Sequence, residues 1–255
     1  MAMAVDQSVI RKSVEKAVHL IKTSRKTIAF TGAGVSVESG IPDFRGPNGI
    51  WSRIDTKYLE IDYFMRHGKE CWPVIHKMFF NPLSNARPNP AHHVLAWMEH
   101  QNLLSGIITQ NIDNLHHKAG NTNVVEFHGN TRILVCPRCE HQTPADFDKL
   151  GLPPRCPQCN TILKPDFVFF GENIPSSARR GTEELLKNLE LMIVIGTTGV
   201  IFPAGQIPRQ AKQSGAFIIE INVCPSEYTS AITDVFIQLP ASSALETLKF
   251  RLENK

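Results

Sequence analysis

Four of the six cysteines stand in two pairs, Cys136-Pro-Arg-Cys139 and Cys156-Pro-Gln-Cys159, with sixteen residues between them. Each Cys-x-x-Cys turn presents two sulfurs to one ion, and two such turns complete the tetrahedral thiolate set that zinc takes. With all four positions filled by protein no place is left for water, so the expected ion is structural and not catalytic. Cys71 and Cys224 stand alone, and this spacing argues for a metal rather than three disulfides. The segment Glu140 to Arg155 between the pairs is not basic, which weakens a nucleic-acid role for the ribbon.

A second set of residues suits a nucleotide. The turn Gly32-Ala-Gly-Val-Ser36 would let backbone approach a pyrophosphate, whose charge is met by amides at the start of the next helix. A dinucleotide fingerprint expects a third glycine where this chain has Val37, and a plain tight turn remains an alternative. Ser39-Gly-Ile-Pro-Asp-Phe-Arg-Gly46 reads as a ligand-positioning loop or as a surface loop with an Asp–Arg pair. Gln110, Asn111 and Asp113 follow a strand-like run and suit ribose hydroxyls or an amide, with a helix cap as the other reading. In Glu126-Phe-His-Gly129, a neutral His128 could serve as general base near pH 7. Gly196-Thr-Thr-Gly199 and Glu220-Ile-Asn222 end further strand-like runs with small and polar groups.

These residues need a scaffold, and the chain alternates in the way that supplies one. An amphipathic helix is expected from Ser8 to Ile21, with strands at Thr27 to Phe30, Gly106 to Thr109, Leu191 to Ile195 and Phe217 to Ile221. Helical segments at Ala91 to Gln101, Ser176 to Leu189 and Pro203 to Ser214 separate them, which argues for an α/β fold with a doubly wound parallel sheet. Gly46 to Pro90 and Thr131 to Pro165 break the rhythm and read as insertions forming a smaller domain beside a cleft. At 255 residues the chain is long enough for a core, and 42% hydrophobic against 20% charged residues excludes wholesale disorder. A net charge of +3 gives no reason to expect nucleic acid or an anionic membrane as partner. No apolar run is long enough to span a bilayer and Met1 to Ile10 lacks signal-peptide order, so the expected location is cytoplasmic.

Taken in order along the chain, these segments resemble one family, the sirtuins, NAD-dependent protein lysine deacylases, in their bacterial and archaeal type. The resemblance runs from about Ser24 to about Leu248 and rests on Gly32–Ser36, Ser39–Arg45, Arg87-Pro-Asn-Pro-Ala-His92, Thr109–Asp113, Phe127-His-Gly129, the four cysteines and Phe170-Gly-Glu172. It implies a Rossmann-like NAD-binding domain (1–45, 91–130 and 170–255) and a small domain made of a helical module (46–90) and a zinc-ribbon module (131–169). Gly32, Ala33, Gly34, Ser36 and Glu38 would line the NAD site, and Asp43, Phe44 and Arg45 would sit on a cofactor loop. Gln110, Asn111, Ile112 and Asp113 would hold the nicotinamide and ribose end; Gly196, Thr197, Thr198, Asn222 and Val223 would meet the adenosine half. The implied catalytic pair is His128, as general base, with Asn111. Phe167, Val168, Phe169 and Gly171 would pair with the acyl-lysine peptide and enclose the lysine stem. The implied reaction consumes NAD, moves the acyl group to ADP-ribose, and releases lysine, nicotinamide and O-acetyl-ADP-ribose.

Two departures bear on specificity. After Gly196-Thr197 the family usually has Ser then Leu, where this chain has Thr198-Gly199. Members that remove succinyl or malonyl groups carry Tyr-x-x-Arg in the acyl pocket; Tyr63-Phe-Met-Arg66 has that form but lies 26 residues before His92, upstream of the pocket motif. Apolar Ile75 and Met78 align there instead and disfavour a buried carboxylate, so acetyl or longer neutral acyl groups are expected. A preference for longer or acidic acyl groups, mono-ADP-ribosyl transfer to protein, and a zinc-stabilised nucleotide-sensing scaffold are the competing readings.

Overall fold

Short apolar segments pair edge to edge because a strand buried on both faces needs only its neighbours' backbones as polar partners. The computed structural model describes residues 7–41 and 55–254. Its strands are β1 Thr27–Thr31, β2 Ile107–Thr109, β3 Val124–Glu126, β4 Gly129–Val135, β5 Gln142–Pro144, β6 Lys164–Phe167, β7 Leu191–Ile195, β8 Phe217–Ile221 and β9 Val235–Ile237. Its helices are α1 Gln7–Thr23, α2 Ile61–Ile75, α3 Asn81–Ser84, α4 Pro90–His100, α5 Leu115–Ala119, α6 Phe147–Leu150, α7 Ser176–Leu186, α8 Ile207–Gln213 and α9 Ala241–Glu253.

Six strands form one parallel sheet in the order β3-β2-β1-β7-β8-β9. The order runs outward in both directions from β1 and β7, paired from Thr27 with Leu191 to Thr31 with Ile195, so the chain reverses its winding there. Alternation along each strand sorts the core into two layers. Ala29, Ile107, Ile193 and Ile219 face α1, α4 and α9, whereas Ile28, Phe30, Met192 and Ile218 face α7 and α8. The fold is α/β and Rossmann-like, as the alternation of elements implied.

The paired-cysteine segment folds as a separate antiparallel sheet, β5-β4-β6. It shares a third apolar cluster with the segment before α4, including Leu59, Phe64, Trp72, Ile75 and Phe79 beside Leu134, Leu163, Phe167 and Phe169. Trp72 Nε1 donates to Leu163 C=O at 2.7 Å and so ties α2 to the cysteine segment. The chain continues from α2 through a π-helical turn, His76–Phe80, into α3.

The structure extends the expected elements at several places. β3, β9 and α9 were not among them; the first two are only three residues long and carry little periodic signal. The helix expected over Pro203 to Ser214 begins as a 3-10 turn, Ala204–Gln206, and the one expected to reach Leu189 ends at Leu186. Among the described residues no helix is long and apolar enough to cross a membrane.

Candidate active site

The site lies where β1 and β7 end side by side. Gly32 N–H donates to Ile195 C=O at 3.0 Å and Gly34 N–H to Gly196 C=O at 2.9 Å. A Cβ on Gly34 would lie 2.6 Å from Gly196 Cα, and Gly196 itself sits at φ 61°, where side chains are strained. These glycines are therefore required by a backbone contact between two loops. Over the described residues 33–41 no α-helix follows: the chain makes two 3-10 turns, Ala33–Val35 and Val37–Ser39. That corrects the expected helix N-terminus and accounts for Val37, since the third glycine of the fingerprint serves helix–strand packing.

The motif Arg87 to His92 anchors this turn from below. Asn89 caps α4 by accepting Ala91 N–H at 2.9 Å, while its Nδ2 donates to Val35 C=O at 2.8 Å and Ser39 Oγ at 3.0 Å. His92 Nδ1 accepts Asn89 N–H, which completes a capping box. Burial pushes the His92 pKa down to about 4.

Around the glycines a cluster of polar side chains closes. Asn111 Nδ2 donates to Gly32 C=O and to Ser36 Oγ, both at 3.1 Å, and Ser36 donates to Asp113 Oδ2 at 2.7 Å. Burial raises the Asp113 pKa, against the opposing bonds from Leu115 N–H and Ser36. Asn111 Oδ1 is buried without a partner among the described residues. A native site does not waste such an acceptor, and an amide or hydroxyl of a bound dinucleotide would satisfy it. Gln110 Nε2 reaches Thr197 Oγ1 at 3.1 Å, and Asn222 Nδ2 donates to Thr197 C=O at 3.1 Å. Ser36, Asn111 and Asp113 thus form one bonded set and Gln110, Thr197 and Asn222 another, and both flank Gly32.

His128 stands beside them, half-buried, just before β4. Its Nδ1 lies 3.1 Å from Gln110 C=O, which can only accept, so Nδ1 carries the proton and Nε2 presents a bare lone pair. Burial lowers its pKa, opposed by the Gln110 bond, and the ring is neutral at pH 7. A neutral imidazole with a free Nε2 is what a general base requires.

Other expected contacts sit differently. Glu38 accepts Ser242 N–H at 3.0 Å, in the first turn of α9, where a carboxylate complements the helix dipole. Thr198 and Val223 are exposed, and Ala33 is half-buried. Ile112 is buried in the third apolar cluster, and its carbonyl accepts Thr131 Oγ1 at 2.9 Å. Asp43, Phe44 and Arg45 lie outside the described residues.

The segment expected to receive peptide is not one strand. β6 ends at Phe167, and Phe170 makes an isolated parallel bridge with Glu60. Val168 N–H donates to His128 C=O, Phe170 N–H to Leu59 C=O and Phe169 N–H to Glu172 Oε2, so three of its amides have internal partners. Among the described residues nothing donates to the Val168 carbonyl. Phe167 and Phe169 are buried, stacked at 5.1 Å, and Gly171 lies at φ 88°.

Sequence reasoning missed the pair that holds this segment. Lys164 Nζ donates to Phe167 C=O at 2.7 Å, pairs with Glu172 at 3.0 Å and lies 4.5 Å from the Phe169 ring. Its side chain is only 13% exposed. Lys164→Met strands the Glu172 carboxylate and is expected to cost about 3 kcal/mol in denaturant unfolding, more than Lys164→Arg. Eight residues part the two in sequence, a spacing with no helical or strand meaning.

The four paired cysteines gather at the far end of the small sheet. Their sulfurs all lie within 4.8 Å of one another, with separations of 3.4 Å for Cys136 to Cys159 and 3.6 Å for Cys139 to Cys156. A tetrahedral zinc with bonds of about 2.3 Å needs sulfurs about 3.8 Å apart, so the set fits one ion and closes its coordination. Both turns share one geometry: Glu140 N–H bonds Cys136 C=O and Asn160 N–H bonds Cys156 C=O, each at 2.9 Å, with Glu140 and Asn160 both at φ 59°.

Glycine loops that meet at the winding reversal of a Rossmann-like sheet, a neutral imidazole bonded to the neighbouring loop and a second sheet carrying four clustered sulfurs are the features of a dinucleotide-using enzyme. Comparison with known proteins narrows this. The Sir2 family model matches residues 32–203. NAD-dependent protein deacetylase 1 of Pyrobaculum aerophilum is 41% identical over 98% of this chain and 98% of its own length. The NAD-dependent protein deacylase of Pyrococcus furiosus is 39% identical over 90% of this chain and 94% of its own. A solved Sir2 variant with deacetylated p53 peptide and 3′-O-acetyl ADP ribose superposes with a TM-score of 0.88 at 35% identity, covering 93% of this chain and 98% of that one. The chain belongs to the Sir2 family, the sirtuins, a class of NAD-dependent protein deacylases.

Proposed function

We propose that this enzyme is an NAD-dependent protein lysine deacetylase whose site is built by the residues above. The two lobes are 1–45, 91–130 and 170–255 for the dinucleotide, and 46–90 with 131–169 for the helical and zinc modules. Zinc held by Cys136, Cys139, Cys156 and Cys159 fixes the small lobe. Four thiols kept as ligands favour a reducing, cytoplasmic location.

NAD, when bound, would supply a ribose carbon that bonds the acyl oxygen as the bond to nicotinamide breaks; with one water consumed, the lysine amine is released and the acyl group ends on a ribose hydroxyl of ADP-ribose. Gly32, Ala33, Gly34, Ser36, Gly196, Thr197, Thr198, Asn222 and Val223 bind the phosphate and adenosine portions, with Glu38 on the same turn and Asp43, Phe44 and Arg45 on the following loop. Gln110, Asn111, Ile112 and Asp113 hold the nicotinamide end, where Asn111 Oδ1 is the acceptor awaiting a donor. His128 Nε2 takes the proton from a ribose hydroxyl. Phe167, Val168, Phe169 and Gly171 receive an acylated lysine of a protein or peptide. The geometry of His128, whose Nδ1 proton is held by the carbonyl of Gln110, the residue before Asn111, so that the lone pair is on Nε2, is the observation that carries the reading.

Mass spectrometry of an acetylated peptide incubated with NAD tests it. Loss of acetyl with appearance of O-acetyl-ADP-ribose is the expected result; ADP-ribose attached to protein would favour the transferase instead. The acyl group is neutral. Tyr63 donates to Glu70 and stacks on His67, and Arg66 bonds Asp62 C=O, so both are engaged on their own helix. Ile75 is buried in the small lobe and Met78 packs against the same cluster. Acetyl and butyryl peptides are expected to outrun succinyl peptide by about 100-fold or more in kcat/KM, since an unpaired buried carboxylate costs several kcal/mol. Nicotinamide release across a peptide panel measures this.

A further inference from the structure

A buried ring of hydrogen bonds closes around Asn111. His116, on α5, meets Thr31 Oγ1 through Nε2 at 2.9 Å. Thr31 Oγ1 donates to Thr109 Oγ1 at 2.8 Å, and Thr109 Oγ1 also accepts the Asn111 backbone N–H at 3.1 Å. From Asn111 the ring passes through its side chain to Ser36, from Ser36 to Asp113 Oδ2, and from Asp113 Oδ1 to Leu115 N–H at 2.9 Å, next to His116 on α5. Thr31 has one hydroxyl proton and gives it to Thr109, so it accepts from His116, which therefore carries its proton on Nε2. Consistently, His116 Nδ1 is buried with no partner among the described residues.

Thr31 is 0% exposed, Thr109 3% and His116 2%. Burial also holds the His116 pKa well below the ordinary histidine value, so the ring is uncharged. Polar groups buried this deeply are costly unless fully paired, and apolar side chains would fill the same space without that penalty. The return comes at one corner. Asn111 is fixed at its backbone by Thr109 and at Nδ2 by Gly32 and Ser36, with Oδ1 alone left over for a ligand.

We propose that Thr31 and His116 are positioning residues for the reaction: buried in the hydrogen-bonded ring that holds Asn111, they fix the orientation in which Asn111 Oδ1 meets the nicotinamide–ribose end of the dinucleotide. The role rests on the deacylase reading above. Thr31→Val keeps the side chain's shape and removes both hydrogen bonds; Thr31→Ser keeps the hydroxyl. With NAD and an acetylated peptide, Thr31→Val is expected to lower kcat for nicotinamide release on the order of 10- to 100-fold, the scale of a misplaced reacting group. The peptide KM and the calorimetric affinity for ADP-ribose, which lacks nicotinamide, stay at wild-type values, and Thr31→Ser recovers most of the rate. His116→Gln, which can still donate to Thr31, retains more rate than His116→Leu. A Thr31→Val enzyme as fast as wild type overturns the role. So does one that loses ADP-ribose affinity in parallel with rate, since that pattern marks a collapsed site. Wild-type protein that releases no nicotinamide at all sinks the deacylase reading, and this role with it.

Discussion

His128→Ala is expected to lower deacetylation by about 100- to 10,000-fold, the usual contribution of a positioned general base. The protein should stay folded. His128 is half-buried, and the substitution removes its ring's hydrogen bond to Gln110 C=O, which can turn to water, while the backbone bond from Val168 N–H remains. Because the proposed base acts only after nicotinamide departs, exchange of labelled nicotinamide into NAD should survive better than deacetylation. A further signature lies in pH. Burial lowers the His128 pKa from 6.5, and a protonated Nε2 accepts nothing. The neutral, active form therefore persists below pH 6.5, and kcat/KM is lost only as pH falls through the lowered value. The acid limb of the wild-type profile should sit below 6.5 and should be missing from the residual activity of His128→Ala. Retention of full NAD-dependent deacetylation by that variant would remove the assignment, and a wild-type acid limb above 6.5 would contradict the lowered pKa.

What could be read from sequence, and what could not, follows from how far apart the interacting residues lie. Leu191–Ile195 and Phe217–Ile221 emerge residue for residue because a strand buried on both faces is written as one continuous apolar run. Val124–Glu126 and Val235–Ile237 do not: they are the edge strands, three residues each and only partly buried, unlike the equally short but fully buried Ile107–Thr109. The zinc set is legible because its geometry is local: two turns of four residues each prescribe where the sulfurs go. Glycines 32 and 34 were legible as a phosphate approach, yet half of their reason is Gly196, a contact made across the sheet between two loops. The choice of His128 as base could be argued from residue type and place, but its tautomer depends on a carbonyl at Gln110, on a different loop. The Thr31–Thr109–His116 chain was wholly invisible, because threonine in a strand reads as a strand former and its partners sit on other elements.

Cys136→Ser is the change expected to cost most stability. The small sheet is slight: β5 has three residues and β6 four, and α6 is a single turn. Structural zinc contributes about 10–16 kcal/mol in isolated zinc peptides, far more than this sheet's own packing could replace. Serine cannot supply the thiolate, and Cys136 is fully buried beside Cys156 in the lobe's apolar cluster, so an unliganded hydroxyl would be left inside. The loss reaches the chemistry through the backbone. β4 begins at Gly129, directly after His128, and β6 ends at Phe167, opposite Gly129 in the sheet. A chelated protein and Cys136→Ser should therefore share one phenotype: zinc content near zero by elemental analysis, loss of hydrogen-exchange protection over 129–167, and activity falling with it, while β1 and β7 stay protected within their six-stranded sheet. Exposed Cys224, outside the cluster, makes the control, since Cys224→Ser should keep both metal and protection. Unchanged protection and turnover after rigorous chelation would mean that the four sulfurs do not hold a structural ion.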